Sequence, residues 1–448
     1  MNLPGLRPFV ALLIAVAVLM SGSGSVATTL TAHGRATPGT RVLARPDGDS
    51  DSEDAFTAPL SARHTYDTTH FRLHWTSTTE DATATTFVKD AAMVFEEVWD
   101  VEIDRLGWPR PPSDGSLGGN DLVDVYFVDL GEGAYGYATA DDASLCRDCT
   151  SAHGYLVLDN DYLGFFPDVS GALRSTAAHE FGHLVQFGMV YNGEGWAFEA
   201  TAVWLERVVF PTVDARTQYL QDFSAHPELA LTDFGSSTGG FDRAYGAYVW
   251  NVWLADRYGP AIVRDAWQAA SQADGHVLQG YATALAGRGV LLDQELVAFT
   301  AATAGWDHGG FPGEPGTYPP LSRQPDLAVG AVQSVQIDHS AAYVADVVAD
   351  GAVTVTVRGP KFIAGGVALV AASGSEVLVV VDDTLFDGEA TVTLPQGADI
   401  GRVTVVVVNA DPALAVPKPP SSDRPRYLFD DVEYLIGVDV VPGPLVKR

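Results

Sequence analysis

Ser175-Thr-Ala-Ala-His179-Glu180-Phe181-Gly182-His183-Leu-Val-Gln186, followed by Trp196-Ala-Phe-Glu199-Ala-Thr-Ala-Val203-Trp204-Leu-Glu206, is the stretch on which the fold turns. Apolar spacing predicts helices over Leu173–Phe187 and Trp196–Val209, with Ser170 or Asp168 available to cap the first. On a helix, His179 and His183 leave the same face about one turn apart. Two neutral imidazole nitrogens so placed suit one Zn²⁺. Glu180 projects roughly 100° around from His179, where it can hydrogen-bond a water on the metal instead of ligating. Zinc brings the pKa of such a water towards ~7, and the carboxylate can take its proton as it attacks a carbonyl.

A third ligand is needed, and Glu199 in the second helix is the next candidate. The first helix must then stop near Gly188, so that Met189 to Gly195 can turn the chain back. Asp242, in Gly239-Gly-Phe-Asp-Arg-Ala-Tyr-Gly246, is a competing carboxylate, and it also suits the N-cap of a following helix. Tyr245 is the candidate for donating a proton to a developing oxyanion, with Tyr248 and then His226 behind it.

These residues resemble the secreted bacterial zincin metallopeptidases of the gluzincin type. The chain is similar to a group of exported metalloproteases that share His-Glu-Phe-x-His-x-x-Gln, then Trp-x-x-Glu-Ala-Thr-Ala, and end in a β domain. The longer metzincin pattern would place Gly at 186 and His at 189, where this chain has Gln186 and Met189. The Asp242 stretch partly resembles the aspzincin signature, with Gly240 in place of its Thr. The gluzincin resemblance covers about residues 65 to 305. It implies His179, His183 and Glu199 as zinc ligands and Glu180 as general base. The thermolysin-like branch carries an Asp four residues after the ligand Glu to support a zinc-bound His. Here that place is Val203, so another group must orient the imidazole.

Outward from this region, His70–Trp75, Leu122–Val128 and Gly154–Leu158 read as strands, and Glu80–Leu106 as a helix ended by Gly107 and Pro109. The Gly154–Leu158 strand is expected at the sheet edge, where an extended peptide could lie. Further helices are predicted over Ala215–Phe223, Asp242–Arg257, Ala261–Ala270 and Asp293–Ala302, before a Gly/Pro hinge from Phe311 to Pro320. Val353–Val357, Val367–Val370, Val377–Val381, Ala390–Leu394 and Val403–Val408 are short β runs separated by turn residues. The expected class is therefore α+β: a zincin-like metallopeptidase domain over 63–310, with a mixed-sheet lobe and a helical lobe, then an all-β sandwich over 320–448.

At the N-terminus, Arg7, an apolar run from Phe9 to Met20 and the small residues Ser25-Val26-Ala27 have the order of a secretory signal peptide over 1–27. That run is too short to span a bilayer comfortably. Residues 28–62, rich in Gly, Pro and Asp, read as a disordered linker or pro-segment. Cys146 and Cys149, in Cys-Arg-Asp-Cys, are expected to form a local disulfide in an oxidising compartment.

Composition narrows the partners. The 448 residues are 47% hydrophobic and carry 57 acidic against 26 basic side chains, a formal charge of −31. Lysine stands only at 89, 361, 418 and 447, and with acids so far in excess nucleic acid is a poor partner, since phosphates need clustered Lys and Arg. The acid excess gives a strongly solvated exterior, and no specific motif among these residues supports Ca²⁺. The expected activity is a secreted, extracellular zinc metalloendopeptidase acting on protein or peptide, with no membrane partner in the mature form. The alternative is a cell-surface or wall-binding protein whose zincin domain is a silent scaffold and whose β domain makes the contact. The retained Glu180 carboxylate argues for the first.

Overall fold

The computed structural model describes residues 45–47, 56–131, 134–141, 150–234, 242–273, 275–309, 311–312, 318–348, 351–373, 376–394, 402–414 and 427–442. The expected signal peptide and both cysteines lie outside them. The chain forms two compact units, Met1–Asn192 with Leu205–Ala215, and Gly193–Trp204 with Arg216–Arg448. Their architecture is mixed α and β, with three sheets among the described residues.

The first unit is built on a five-stranded sheet. Its strands are β1 (Arg63–Asp67), β2 (Phe71–Thr76), β3 (Val123–Val128), β4 (Gly136–Ala140) and β5 (Gly154–Asp159), in the order β1-β2-β3-β5-β4. The central strands β2, β3 and β5 run parallel, and the two outer strands pair antiparallel. Two short strands, β1 and β4, lie outside the sequence expectation, and β4 corrects it. The edge is Gly136–Ala140, with β5 paired on both sides (Gly136↔Leu158 through Ala140↔Gly154). Gly154–Asp159 is therefore an inner strand, and β4, the outer one, is itself mostly buried.

The helices on one face of this sheet are α1 (Thr85–Trp99) and α2 (Val169–Met189). The predicted Glu80–Leu106 helix is regular only within α1. It then widens into a π-helical stretch over Asp100–Arg105. Odd-numbered residues of β2 and β3 face these helices: the Phe71 ring meets Phe95 at 5.0 Å and Phe181 at 5.3 Å, and Phe127 meets Phe87 at 5.7 Å. Even-numbered residues point the other way. There Phe56 joins Tyr126, Val128, Tyr155 and Val157 in a second apolar cluster. In the stretch read as linker or pro-segment, residues 45–47 and 56–62 are thus described as ordered chain, with Arg45 and Phe56 buried.

Helix α3 (Gly195–Val209) follows α2 after a five-residue connection and runs through the division between the units. The second unit continues with α4 (Leu220–Ala225), α5 (Asp242–Gly246), α6 (Tyr248–Tyr258), α7 (Ala261–Ala270), α8 (Val277–Ala286) and α9 (Leu292–Thr303). A break at Ala247 splits the predicted Asp242–Arg257 helix, and α8 was not expected. Of the Gly/Pro stretch expected as a hinge, Phe311 and Tyr318 are buried against Trp306, with centroids at 5.6 and 4.9 Å.

Two four-stranded antiparallel sheets complete this unit. Strands β6 (Val332–Ile337), β7 (Ala341–Val348), β8 (Gly351–Arg358), β9 (Gly365–Ser373), β10 (Glu376–Asp382), β11 (Glu389–Leu394), β12 (Arg402–Asn409) and β13 (Val432–Pro442) are ordered β10-β9-β12-β7 and β11-β8-β13-β6. Alternate valines of both sheets, among them Val353, Val355, Val357, Val403, Val405 and Val407, share one core, as in a sandwich. Helix α9 lies on the β10-β9-β12-β7 sheet, where a Cβ on Gly366 would come within 2.9 Å of the Val297 side chain. Among the described residues, no helix is long and apolar enough to cross a membrane.

Helices α7 and α8 touch backbone to backbone, because a Cβ on Gly280 would stand 2.1 Å from the Ala266 carbonyl oxygen. Gly280→Ala should therefore destabilise this unit by about 1–3 kcal/mol, since backbone cannot rotate away. Gly287→Ala, with φ −61° and nothing nearer than 3.5 Å, should be neutral or stabilising by about 0.4–1 kcal/mol. Thermal unfolding of the two variants followed side by side checks the contrast.

Candidate metal centre

Helix α2 is apolar nearly all round, as a helix buried on several sides must be. Asp168 caps it: the Oδ1 accepts from the Gly171 N–H at 2.8 Å. The helix ends at Met189, one residue beyond the stop that Glu199 requires. On it His179 and His183 project together, with ring centroids 4.7 Å apart and planes at 85°. Both are buried, as are Glu180 and Glu199.

One ligand atom each from His179, His183 and Glu199 lie within 4.8 Å of one another. Asp242 is not in this group. It is the first residue of α5, half-buried, and burial and the nearby Asp222 raise its carboxyl above the usual range. Tyr245 is buried in α5 with its ring 4.9 Å from Tyr219, and Tyr248 is buried at the start of α6. His226 is exposed and bonds Glu228 at 3.0 Å.

The imidazoles are oriented by two residues whose roles the sequence did not assign. His179 Nδ1 lies 2.7 Å from Glu206 Oε1, and His183 Nδ1 lies 2.7 Å from Gln186 Oε1. A carboxylate and an amide oxygen only accept, so both Nδ1 atoms carry the proton. Each Nε2 then presents its lone pair, which is the state a metal requires. A signal for Glu206 was present in the sequence. It stands seven residues after Glu199 on one helix, about 20° from it in azimuth and roughly 10.5 Å further along.

Two more buried groups lie near residues of α2. Glu102, in the π-helical stretch, has no hydrogen-bond partner for either carboxyl oxygen among the described residues. Burial pushes its carboxyl well above the usual range, with His179 opposing. Tyr162 is fully buried at φ 54°, an uncommon backbone state for an aromatic residue. Burial raises its phenol, and its hydroxyl lies beside Thr176 and within reach of the Glu180 charge. Tyr135, immediately before β4, bonds the Phe166 carbonyl at 3.1 Å. Burial raises its phenol, and the charge of Glu206 adds to the shift.

The donor set is two imidazole nitrogens and one carboxylate oxygen, all buried. A buried carboxylate is costly unless a cation meets it, and this set is the composition that Zn²⁺ takes in open, three-ligand sites.

Comparison with known proteins adds a family without an assigned activity. Residues 162–311, which hold α2, α3 and the three clustered side chains, match the family of unknown function DUF6055. No curated protein matches the chain. Among solved structures, the pre-peptidase C-terminal domain of a collagenase from Bacillus anthracis aligns at 10% identity and a TM-score of 0.19, over 26% of this chain and 97% of that domain.

Proposed function

We propose that this chain is an exported zinc-dependent peptidase of the gluzincin type, with His179, His183 and Glu199 as ligands and Glu180 as general base. The observation that carries the proposal is the gathering of those three ligand atoms within 4.8 Å, on the helix that also bears the buried Glu180. When bound, zinc would supply a Lewis acid that lowers the pKa of a water and polarises a peptide carbonyl.

The chain's own residues do the rest. Glu206 and Gln186 hold the Nδ1 protons, so the imidazoles cannot turn to the other tautomer. Glu180, one residue from a ligand and not itself a member of the cluster, takes the proton from the attacking water and returns it to the leaving amine. Tyr245 is assigned the proton donation to the oxyanion on the family resemblance. Tyr135 is its rival, because its phenol already feels the charge of Glu206.

Purified protein should carry about one zinc per chain by elemental mass spectrometry. His179→Ala, His183→Ala and Glu199→Ala should be purified nearly metal-free, whereas Asp242→Ala should keep its metal. Glu180→Gln should keep the metal and lose hydrolysis of a peptide library. Normal cleavage by that variant would refute the mechanism, and intact surface binding without any parental cleavage would favour the silent scaffold.

Glu206→Ala leaves all three ligands in place yet should lower zinc affinity by roughly 10–100-fold, because the His179 ring loses the partner that fixes its tautomer. Competition with a chelating dye measures this. An unchanged affinity would mean that Glu206 does not support the site.

A further inference from the structure

The sheet face turned away from α2 holds a second assembly of ionisable groups, all within the first unit. Arg45 is buried there with 9% of its surface exposed. Its Nε and Nη2 donate to Asp141 Oδ1 and Oδ2, both at 2.8 Å, as a planar fork. Nη1 donates to Asp124 and faces the Tyr126 hydroxyl at 3.5 Å, and Nη2 also donates to Asp114. The guanidinium carbon stands 5.0 Å from the centre of the Tyr155 ring. Behind this shell, His74 Nε2 bonds Asp124 at 2.6 Å and His153 Nδ1 bonds Asp141 at 2.9 Å.

This is a built site for a guanidinium. Three carboxylates meet three edges of one planar cation, and an aromatic ring covers its face, which a lysine ammonium cannot match. The carboxylates come from distant places: Asp114 lies in the connection before β3, Asp124 in β3 and Asp141 just past β4. The remaining Asp114 oxygen, Oδ1, is buried with no hydrogen-bond partner among the described residues, so the pocket holds more acceptor capacity than Arg45 uses.

Next to Arg45, the Phe56 N–H donates to the Pro46 carbonyl at 2.9 Å, so these two residues, ten apart in sequence, meet. The residues between are Asp47-Gly-Asp-Ser-Asp-Ser-Glu-Asp-Ala55. We infer that the pocket of Asp114, Asp124, Asp141 and Tyr155 is a binding site for an arginine side chain on a docked peptide. Its occupant is this chain's own N-terminal segment, which stays bound after the chain is cut between 48 and 55. The site lies on the sheet face opposite the zinc helix and does not depend on the peptidase reading.

The test uses the full chain with a specific protease sequence replacing residues 50–54. After cutting, the upstream fragment should co-elute with the body on size exclusion. Synthetic peptides spanning residues 40–49 are then offered in excess to the cut parent protein, so no variant has to fold. The peptide with arginine at 45 should displace the fragment, while those with lysine or norleucine there should bind about 100-fold more weakly or worse. Immediate loss of the fragment on cutting, or equal competition by the norleucine peptide, would overturn the inference.

Discussion

A seven-residue interval on a single helix governs the candidate site. Seven residues are nearly two full turns, so Glu199 and Glu206 leave one face of α3. Glu206 holds His179 at 2.7 Å while Glu199 offers its oxygen to the cluster. The interval on α2 is four, which sets His179 and His183 side by side. Two helical periods thus place two imidazoles, the clustered Glu199 carboxylate and the carboxylate that orients His179.

The sheet below carries different demands on its two faces. One is aromatic and meets α1 and α2 through Phe71, Phe95 and Phe181. The other buries charge, which is stable only when hydrogen bonds and counter-charges satisfy it. There burial disfavours the Arg45 cation, but Asp141, Tyr126 and Asp124 more than offset this and hold it charged. The parity of β2 and β3 separates the two chemistries, because adjacent residues such as Leu73 and His74, or Asp124 and Val125, point to opposite faces.

Legibility from sequence followed the range of the interaction. Helices α2 and α3 declared themselves because their spacing is local, and so did β2, β3 and β5, whose apolar runs are long. Strand β4, Gly-Tyr-Ala-Thr-Ala, has small residues and no apolar run, so its neighbour was placed at the edge instead. Helix α8 was missed where Gly280 replaces a side chain with close backbone packing. Arg45 sits in a stretch whose composition reads as linker, and its carboxylate partners lie 69 to 96 residues away. No local pattern can show such a pairing.

The departure at Val203 shows how one requirement can be met from another place. A support four residues after Glu199 would sit about 40° around and 6 Å along the helix. Val203 is fully buried there and supplies packing only. Glu206 lies closer to Glu199 in azimuth, about one turn further on, and its longer side chain reaches His179 Nδ1. What a metal held here would need is an acceptor for the Nδ1 proton, and a glutamate at seven satisfies this as an aspartate at four would. The supporting group is therefore found by asking which acceptor faces the imidazole, not by fixing a position in a pattern.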